Sequence, residues 1–195
     1  MALALLLAWV ALDLWAGRSA DAAFARLQMR YGPLDGQSIV APHVPGIDNR
    51  ALPVRAAALM TLPSEYDAGL STALGHFRNQ NDSSPVPDEI RAFAESNGEA
   101  IRIAELALDR RESSWDADYA GGRNLPPWLA VRRLSEVLYT AARLEMLAGQ
   151  PDQASRRIAV GLAVSASIKQ EPSLIGQLIR VATATEQFEG VKRII

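Results

Sequence analysis

Apolar side chains recur at three- and four-residue intervals through most of this chain, as is typical of amphipathic helices. One such segment is Trp128 to Ala148, where the residues predicted to face inward are Leu134, Val137, Leu138, Ala141, Leu144 and Leu147. Pro151 to Gln170 repeats the pattern, and a last helix is predicted after Pro172. Only Ser38 to Val44 approaches a strand pattern, and its proline argues against one. The pattern therefore predicts an all-α helical bundle.

Three further helical segments are predicted before Trp128. Asp48 or Asn49 can cap a helix that runs to about Leu62, where Pro63 ends it. Ser64 to Phe77 is predicted to be a second helical piece, and Asp88 to Arg110 a third, continuous helix. A polar stretch with two prolines at 79–87 and one rich in aromatic, acidic and glycine residues at 112–127 are predicted to be loops.

The junction between the two segments that flank Gly149 has the chemistry of a tight helical hairpin. Gly149 suits the position just after a helix, and Pro151-Asp152 suits the start of the next one. With the small Ala154 at the crossing, the pair resembles one tetratricopeptide-type (TPR-like) unit. No second copy follows at a period near 34 residues, which favours a single αα-hairpin within a bundle over a solenoid.

The N-terminal segment Met1 to Ala16 is apolar on all faces except for Asp13. As a helix it would be about 24 Å long, against about 30 Å of bilayer hydrocarbon. Three interpretations remain open: a membrane anchor, a cleaved signal peptide and a buried helix. We expect the anchor, in contact with lipid through residues 1–16, because Trp9 and Trp15 favour an interface and Arg18 would end the span.

The chain is therefore expected to have three parts. Residues 1–31 form a membrane anchor and stalk helix, residues 32–47 a Pro/Gly-rich connector, and residues 48–195 the helical domain. A connector of this composition either is a tether or becomes ordered on a partner's surface. Pro42 and His43, which lie within it, are candidate partner contacts.

Composition and motifs restrict the chemistry. The formal net charge of −2 gives no electrostatic case for binding nucleic acid. The chain has no cysteine and only two histidines, so thiolate sites are excluded and a zinc site would depend on carboxylates. It contains no phosphate-binding glycine loop and no nucleophile elbow. We expect no catalytic residue, no metal ligand and no cofactor.

The densest polar and aromatic cluster lies in the loop that starts at Glu112. Trp115, Asp116 and Tyr119 are candidate partner contacts, since large aromatic side chains often anchor interfaces. Asp118 adds a further carboxylate, so calcium binding and acid–base chemistry are alternatives, although no known metal-loop spacing is matched. The simplest interpretation is a loop whose aromatic residues pack on its own bundle while the acids face solvent.

Several features, taken in chain order, resemble a loosely defined group of uncharacterised bacterial membrane-anchored, all-helical extracytoplasmic proteins. The likeness rests on the helix start Asn49-Arg50-Ala51-Leu52, the Trp115-Asp116 loop, the Gly149 hairpin and the Glu171-Pro172-Ser173-Leu174-Ile175 segment. The resemblance implies a helical domain on the periplasmic side of a membrane. The group has no established activity, so no function is implied.

The function expected from these features is that of a non-catalytic scaffolding subunit or interaction module. It would be attached to a larger membrane protein complex, for example a respiratory or photosynthetic assembly. The alternative is an extracytoplasmic helical domain, ligand-binding or enzymatic, whose apolar N-terminus is only a leader.

Overall fold

The computed structural model describes residues 44–62, 68–79, 85–119 and 122–194. These residues contain seven α-helices and no β-strand, which confirms the predicted all-α class. The helices are α1 (Ala51–Met60), α2 (Ala68–Asn79), α3 (Asp88–Ser96), α4 (Gly98–Glu105), α5 (Trp128–Leu147), α6 (Pro151–Ser167) and α7 (Leu174–Ile194).

The three long helices α5, α6 and α7 pack on one another pairwise. Helix α1 packs against α4 and α5, while α2 packs against α3. All described residues belong to one compact unit with the bounds Ala41–Ile195. Most of its buried apolar side chains form a single core, which includes Val54, Phe77, Ile90, Leu138 and Val164. The long helices thus supply a rigid frame for the loops and for the outer helix faces.

The predicted hairpin is present, and its turn explains why the sequence folds there. Gly149 has a φ of +71°, a conformation that residues with a Cβ rarely adopt. Its N–H donates to the carbonyl of Met146, and the N–H of Gln150 donates to that of Glu145. This is a Schellman motif, which satisfies two carbonyls at the end of α5. Pro151 then begins α6. Proline is suited to this position because the first N–H groups of a helix have no partner within the helix, so the N–H that proline lacks costs no hydrogen bond.

The inward face predicted for α5 is largely correct. Leu134, Val137, Leu138 and Ala141 are buried, and Leu144 and Leu147 are partly buried against the same core. In the next helix Ala154 and Ile158 are buried, as expected from their spacing. The bounds of both helices agree with the prediction to within three residues.

The continuous helix predicted from Asp88 to Arg110 is wrong, because Asn97 divides it into α3 and α4. The Asn97 side chain is buried, and its Nδ2 donates to the carbonyl of Phe93 at 2.9 Å. Its Oδ1 accepts from the backbone N–H of Leu62, just after α1. An asparagine that bonds to backbone groups in this way competes with regular helix geometry. Helix α4 then ends at Glu105, earlier than expected.

Several predictions concern residues outside the described ranges. They are the anchor and stalk at 1–31 with Trp9, Trp15 and Arg18, the connector up to His43 with Pro42, and the helix start at Ser64. Among the residues that are described, no helix has both the length and the apolar composition needed to cross a membrane.

Candidate interaction surface

Trp115 is buried, with 4% of its surface exposed, and fastens its loop to the helical frame. Its indole N–H donates to the carbonyl of Ser167 at the end of α6, at 2.8 Å. Its ring centroid lies 5.2 Å from that of Trp128, at the start of α5. The guanidinium of Arg55 in α1 lies 5.6 Å from the same ring. Contacts with three helices hold this side chain against its own bundle, as the simplest interpretation of the loop predicts.

The start of the loop is held by Asn49, which is also buried. The Asn49 Nδ2 donates to the carbonyl of Ser114, and its Oδ1 accepts from the backbone N–H groups of Ser114 and Ala51. Asp116 is exposed, has a φ of +48°, and accepts a hydrogen bond from the Ser114 hydroxyl. Asn49 therefore joins the loop to the beginning of α1.

Tyr119 lies at the surface near the entry to α7. Its hydroxyl donates to the carboxylate of Glu171 at 2.5 Å. Partial burial and this hydrogen bond together raise the pKa of Tyr119 to about 12. Burial also raises the pKa of Glu171, although its bond to Tyr119 opposes the shift. Of the three candidate contacts in this loop, Asp116 and Tyr119 thus reach the surface and Trp115 does not. Their contact with a partner stays a prediction.

A buried carboxylate, Glu186 of α7, connects three helices. It accepts hydrogen bonds from Arg132 at 2.8 Å and from the Ser135 hydroxyl at 2.7 Å, both on α5. The guanidinium of Arg78, on α2, lies 3.0 Å away. Burial raises the pKa of Glu186, and the two arginines and the serine only partly oppose this. The group borders a cleft of about 300 Å³ that is also lined by Tyr139.

The inner face of α7 consists mostly of polar residues and glycines. The buried residues of this helix are Gly176, Thr183, Glu186, Gln187 and Gly190. Gln187 is fully buried and donates to the carbonyl and the hydroxyl of Ser135. The glycines let neighbouring side chains approach closely, since a Cβ on Gly190 would lie 3.0 Å from Ile158. Polar bonds and small residues therefore hold α7 in place, together with the partly buried Ile179 and Val191, which pack against the two apolar clusters.

The outer face of α7 is, by contrast, apolar. Among the α7 residues whose side chains the structure describes, five large apolar ones are between 56% and 74% exposed, and we call them the α7 stripe: Leu174, Ile175, Leu178, Val181 and Phe188. No exposed residue of α7 from Leu174 to Thr185 carries a charge. This is the reverse of an ordinary surface helix, which buries its apolar side. Contiguous exposed apolar surface of this kind usually marks an interaction site.

Sequence reasoning missed this surface. The residues of α7 do carry a signal, because apolar side chains occur on all sides of the helix and no clear polar face exists. Such a helix is normally covered on all sides. A second group of exposed apolar residues lies on and around α1, and includes Leu52, Leu59 and Met60.

Acidic and histidine side chains do not assemble into a metal site in the described part of the chain, where no group of three or more such residues is close enough to hold an ion. Comparison of the sequence and the fold with protein-family models, curated proteins and solved structures found no match.

Proposed function

We propose that this chain is a non-catalytic interaction module, a scaffolding subunit of a larger membrane assembly, and that the α7 stripe is its docking surface. The observation that carries the proposal is the uncharged, exposed row of large apolar side chains on a well-packed helix. Leaving such a row in water is unfavourable, because each large aliphatic side chain would gain about 1.5–3 kcal/mol from full burial. A partner helix or groove would supply that burial.

The inner face of α7 supports the proposal because it sets the rotation of the helix. Turning α7 so that the stripe faced inward would break the bonds that Glu186 makes to Arg132 and Ser135. It would also break those of Gln187 to Ser135. Breaking a buried hydrogen-bonded charge pair costs about 3–5 kcal/mol. The polar network thus keeps the apolar side chains pointed outward.

Attachment to a membrane remains part of the proposal on the strength of the apolar segment Met1 to Ala16. In this arrangement the N-terminal segment contacts lipid, and the helical domain is presented outside the cytoplasm.

The test is a pull-down of the tagged chain from native membranes in mild detergent, with co-purifying proteins quantified by mass spectrometry. The chain should recover other proteins at constant stoichiometry. Leu178→Glu should reduce that recovery at least about tenfold, since a charge in an apolar interface is strongly unfavourable. Leu59→Glu is the matched control: Leu59 is similarly exposed, at 66%, but lies on α1.

Two results would overturn the proposal. One is a chain that recovers no other protein, and the other is a Leu178→Glu variant that retains every partner while circular dichroism shows it folded. A mature N-terminus near Ala23 would in addition favour the alternative of a secreted ligand-binding or enzymatic domain.

A further inference from the structure

Four residues of the α7 stripe, together with the exposed Thr185, have the spacing of a coiled-coil seam. Leu174, Leu178, Val181, Thr185 and Phe188 follow one another at intervals of four, three, four and three residues. That is the spacing of the a and d positions that meet a partner helix. All five are exposed, so the seam is open along about 21 Å of helix.

The seam is also nearly symmetric about its central residue. Leu174 and Phe188 lie seven residues to either side of Val181. Leu178 and Thr185 lie three and four residues from it, on opposite sides. A two-fold axis through Val181 would therefore pair each Leu174 with the partner's Phe188, and Val181 with the partner's Val181. Self-complementarity of this kind is what a two-fold interface between identical chains requires.

On this basis we propose that the α7 stripe pairs two copies of this chain as an antiparallel helix pair centred on Val181. The inference rests on the proposed interaction function of the same surface and names its occupant as a second copy of this chain, so that the paired chains, rather than a single one, recruit the other subunits of the assembly.

Charge favours the antiparallel arrangement. In a parallel pair the two helix dipoles would point the same way, whereas in an antiparallel pair the positive end of each helix lies beside the negative end of the other. The exposed Glu189 forms an ion pair with Lys192 on its own helix at 2.6 Å, so its carboxylate is already offset and opposes neither arrangement.

The seam is short, which indicates a weak association between the two copies. A single helix pair about 21 Å long buries less than the roughly 800 Å² per partner of a standard interface. We therefore expect a dimer that dissociates on dilution. Anchoring both copies in one membrane would raise their effective concentration and favour the pair.

The absence of cysteine from the chain makes cross-linking a clean test. Three single variants of the full chain in detergent are used: Leu174→Cys, Val181→Cys and Phe188→Cys. Under mild oxidation, Val181→Cys should cross-link to itself, and a mixture of Leu174→Cys with Phe188→Cys should give the mixed dimer. Leu174→Cys alone should form no disulfide-linked dimer. Leu59→Cys is the control for random collision. Disulfide geometry requires Cα atoms within about 7 Å, so only facing positions react efficiently.

Sedimentation provides the second measurement. The unmodified chain should show a concentration-dependent dimer whose dissociation constant Leu178→Glu raises at least about tenfold, while Leu59→Glu has no effect. At dilutions where both are monomeric, Leu178→Glu and the unmodified chain should have the same melting temperature. A dominant Leu174→Cys homodimer would overturn the antiparallel pair. A monomer at all concentrations without cross-links would overturn the dimer altogether.

These outcomes are distinct from those of the pull-down. If the chain is monomeric but Leu178→Glu abolishes recovery of another protein, or binding to anionic lipid vesicles, the dimer is wrong and the stripe serves a different occupant. If the cross-links form but no other protein is recovered, the dimer stands and the scaffolding role fails.

Discussion

At the residue scale, Gly161 is the position least able to accept a side chain. A Cβ built there would lie 2.5 Å from Oε1 of Gln187, which is fully buried and bonded to Ser135. Overpacking of this kind costs about 1–3 kcal/mol, while replacing a helical glycine gains about 1 kcal/mol. Gly161→Ala should therefore lower the free energy of unfolding by up to about 2 kcal/mol. Chemical denaturation measures the difference.

Gly75→Ala is the matched control for that substitution. Gly75 also lies within a helix, α2, but a Cβ there would meet no atom within 4 Å. This variant should be about 0.5–1 kcal/mol more stable than the original chain. Equal stabilisation by both substitutions would show that α6 and α7 are not in close contact at Gly161.

Glu186 predicts a specific pH dependence. Burial raises its pKa above the ordinary value of 4.5. At pH values between the unfolded-state and folded-state pKa, the folded chain therefore retains a proton on this carboxyl that the unfolded chain has already released. The contribution of this group to stability is therefore largest below about pH 4.5 and is lost as the pH rises through its folded-state pKa. Glu186→Gln should remove this loss, so that its stability falls less than that of the original chain over the same pH range.

The measurement is the difference between the two chains in denaturant-unfolding free energy at a series of pH values. Taking the difference cancels the other titrating groups, including Glu171, whose pKa is also raised. A difference that stays constant from pH 4 upward would mean that Arg132 and Arg78 fully offset the cost of burying the charge.

At the scale of helices, the break between α3 and α4 rests on one side chain. Asn97→Ala would remove the acceptor for the backbone N–H of Leu62, which is 2.8 Å from the Asn97 Oδ1. Leaving that donor without a partner should lower the free energy of unfolding by about 1–3 kcal/mol, even though alanine is the better helix former. Thermal and chemical denaturation both report it.

Asn79→Ala provides the comparison. Asn79 also donates from its side chain to a backbone carbonyl four residues earlier, that of Gly75, but it is exposed. Its replacement should change stability by no more than about 0.5 kcal/mol. If both variants behave alike, the break at Asn97 is set by the local chain and not by its bond to Leu62.

These two cases show which elements could be predicted from sequence. The hairpin at Gly149 was predictable because its signals, a glycine, a proline and flanking periodic segments, are local. The division at Asn97 was not, because the partner that favours it is Leu62, 35 residues away. An asparagine inside an otherwise periodic segment does not show which backbone group it will meet. Local chemistry thus set the end of α5 at Gly149, while a distant contact set the break at Asn97.

At the scale of the whole molecule, the same distinction applies to the candidate surface. The aromatic residues at Trp115 and nearby were predicted to contact a partner because of their residue type, but residue type does not show which side of a loop is covered. The outward direction of the α7 stripe follows from bonds between Glu186 or Gln187 and Ser135, 51 and 52 residues apart. The sequence of α7 indicated only a helix without a polar side, and its rotation required the fold.

The structure thereby distinguishes two large apolar residues, Trp115 and Leu178, either of which could bind a partner as judged from sequence. Trp115 joins α1, α5 and the end of α6 from inside, whereas Leu178 is 62% exposed on α7. Trp115→Ala should lower the free energy of unfolding by about 3–5 kcal/mol, as for other large buried side chains. At temperatures where it is folded, it should recover partners and form dimers as the original chain does.

Leu178→Glu should do the opposite. Its association should be lost, while its melting temperature should equal that of the original chain at dilutions where both are monomeric. The reason is that a glutamate at this exposed position meets water in the free chain and apolar surface in the complex. Melting and association are measured for both variants. Only melting should change in Trp115→Ala, and only association should change in Leu178→Glu. If Trp115→Ala melts normally but fails to associate, Trp115 is the interface anchor and the loop, not α7, carries recognition. If Leu178→Glu unfolds the domain, the α7 stripe is part of the core, and the reversed polarity of α7 has another cause.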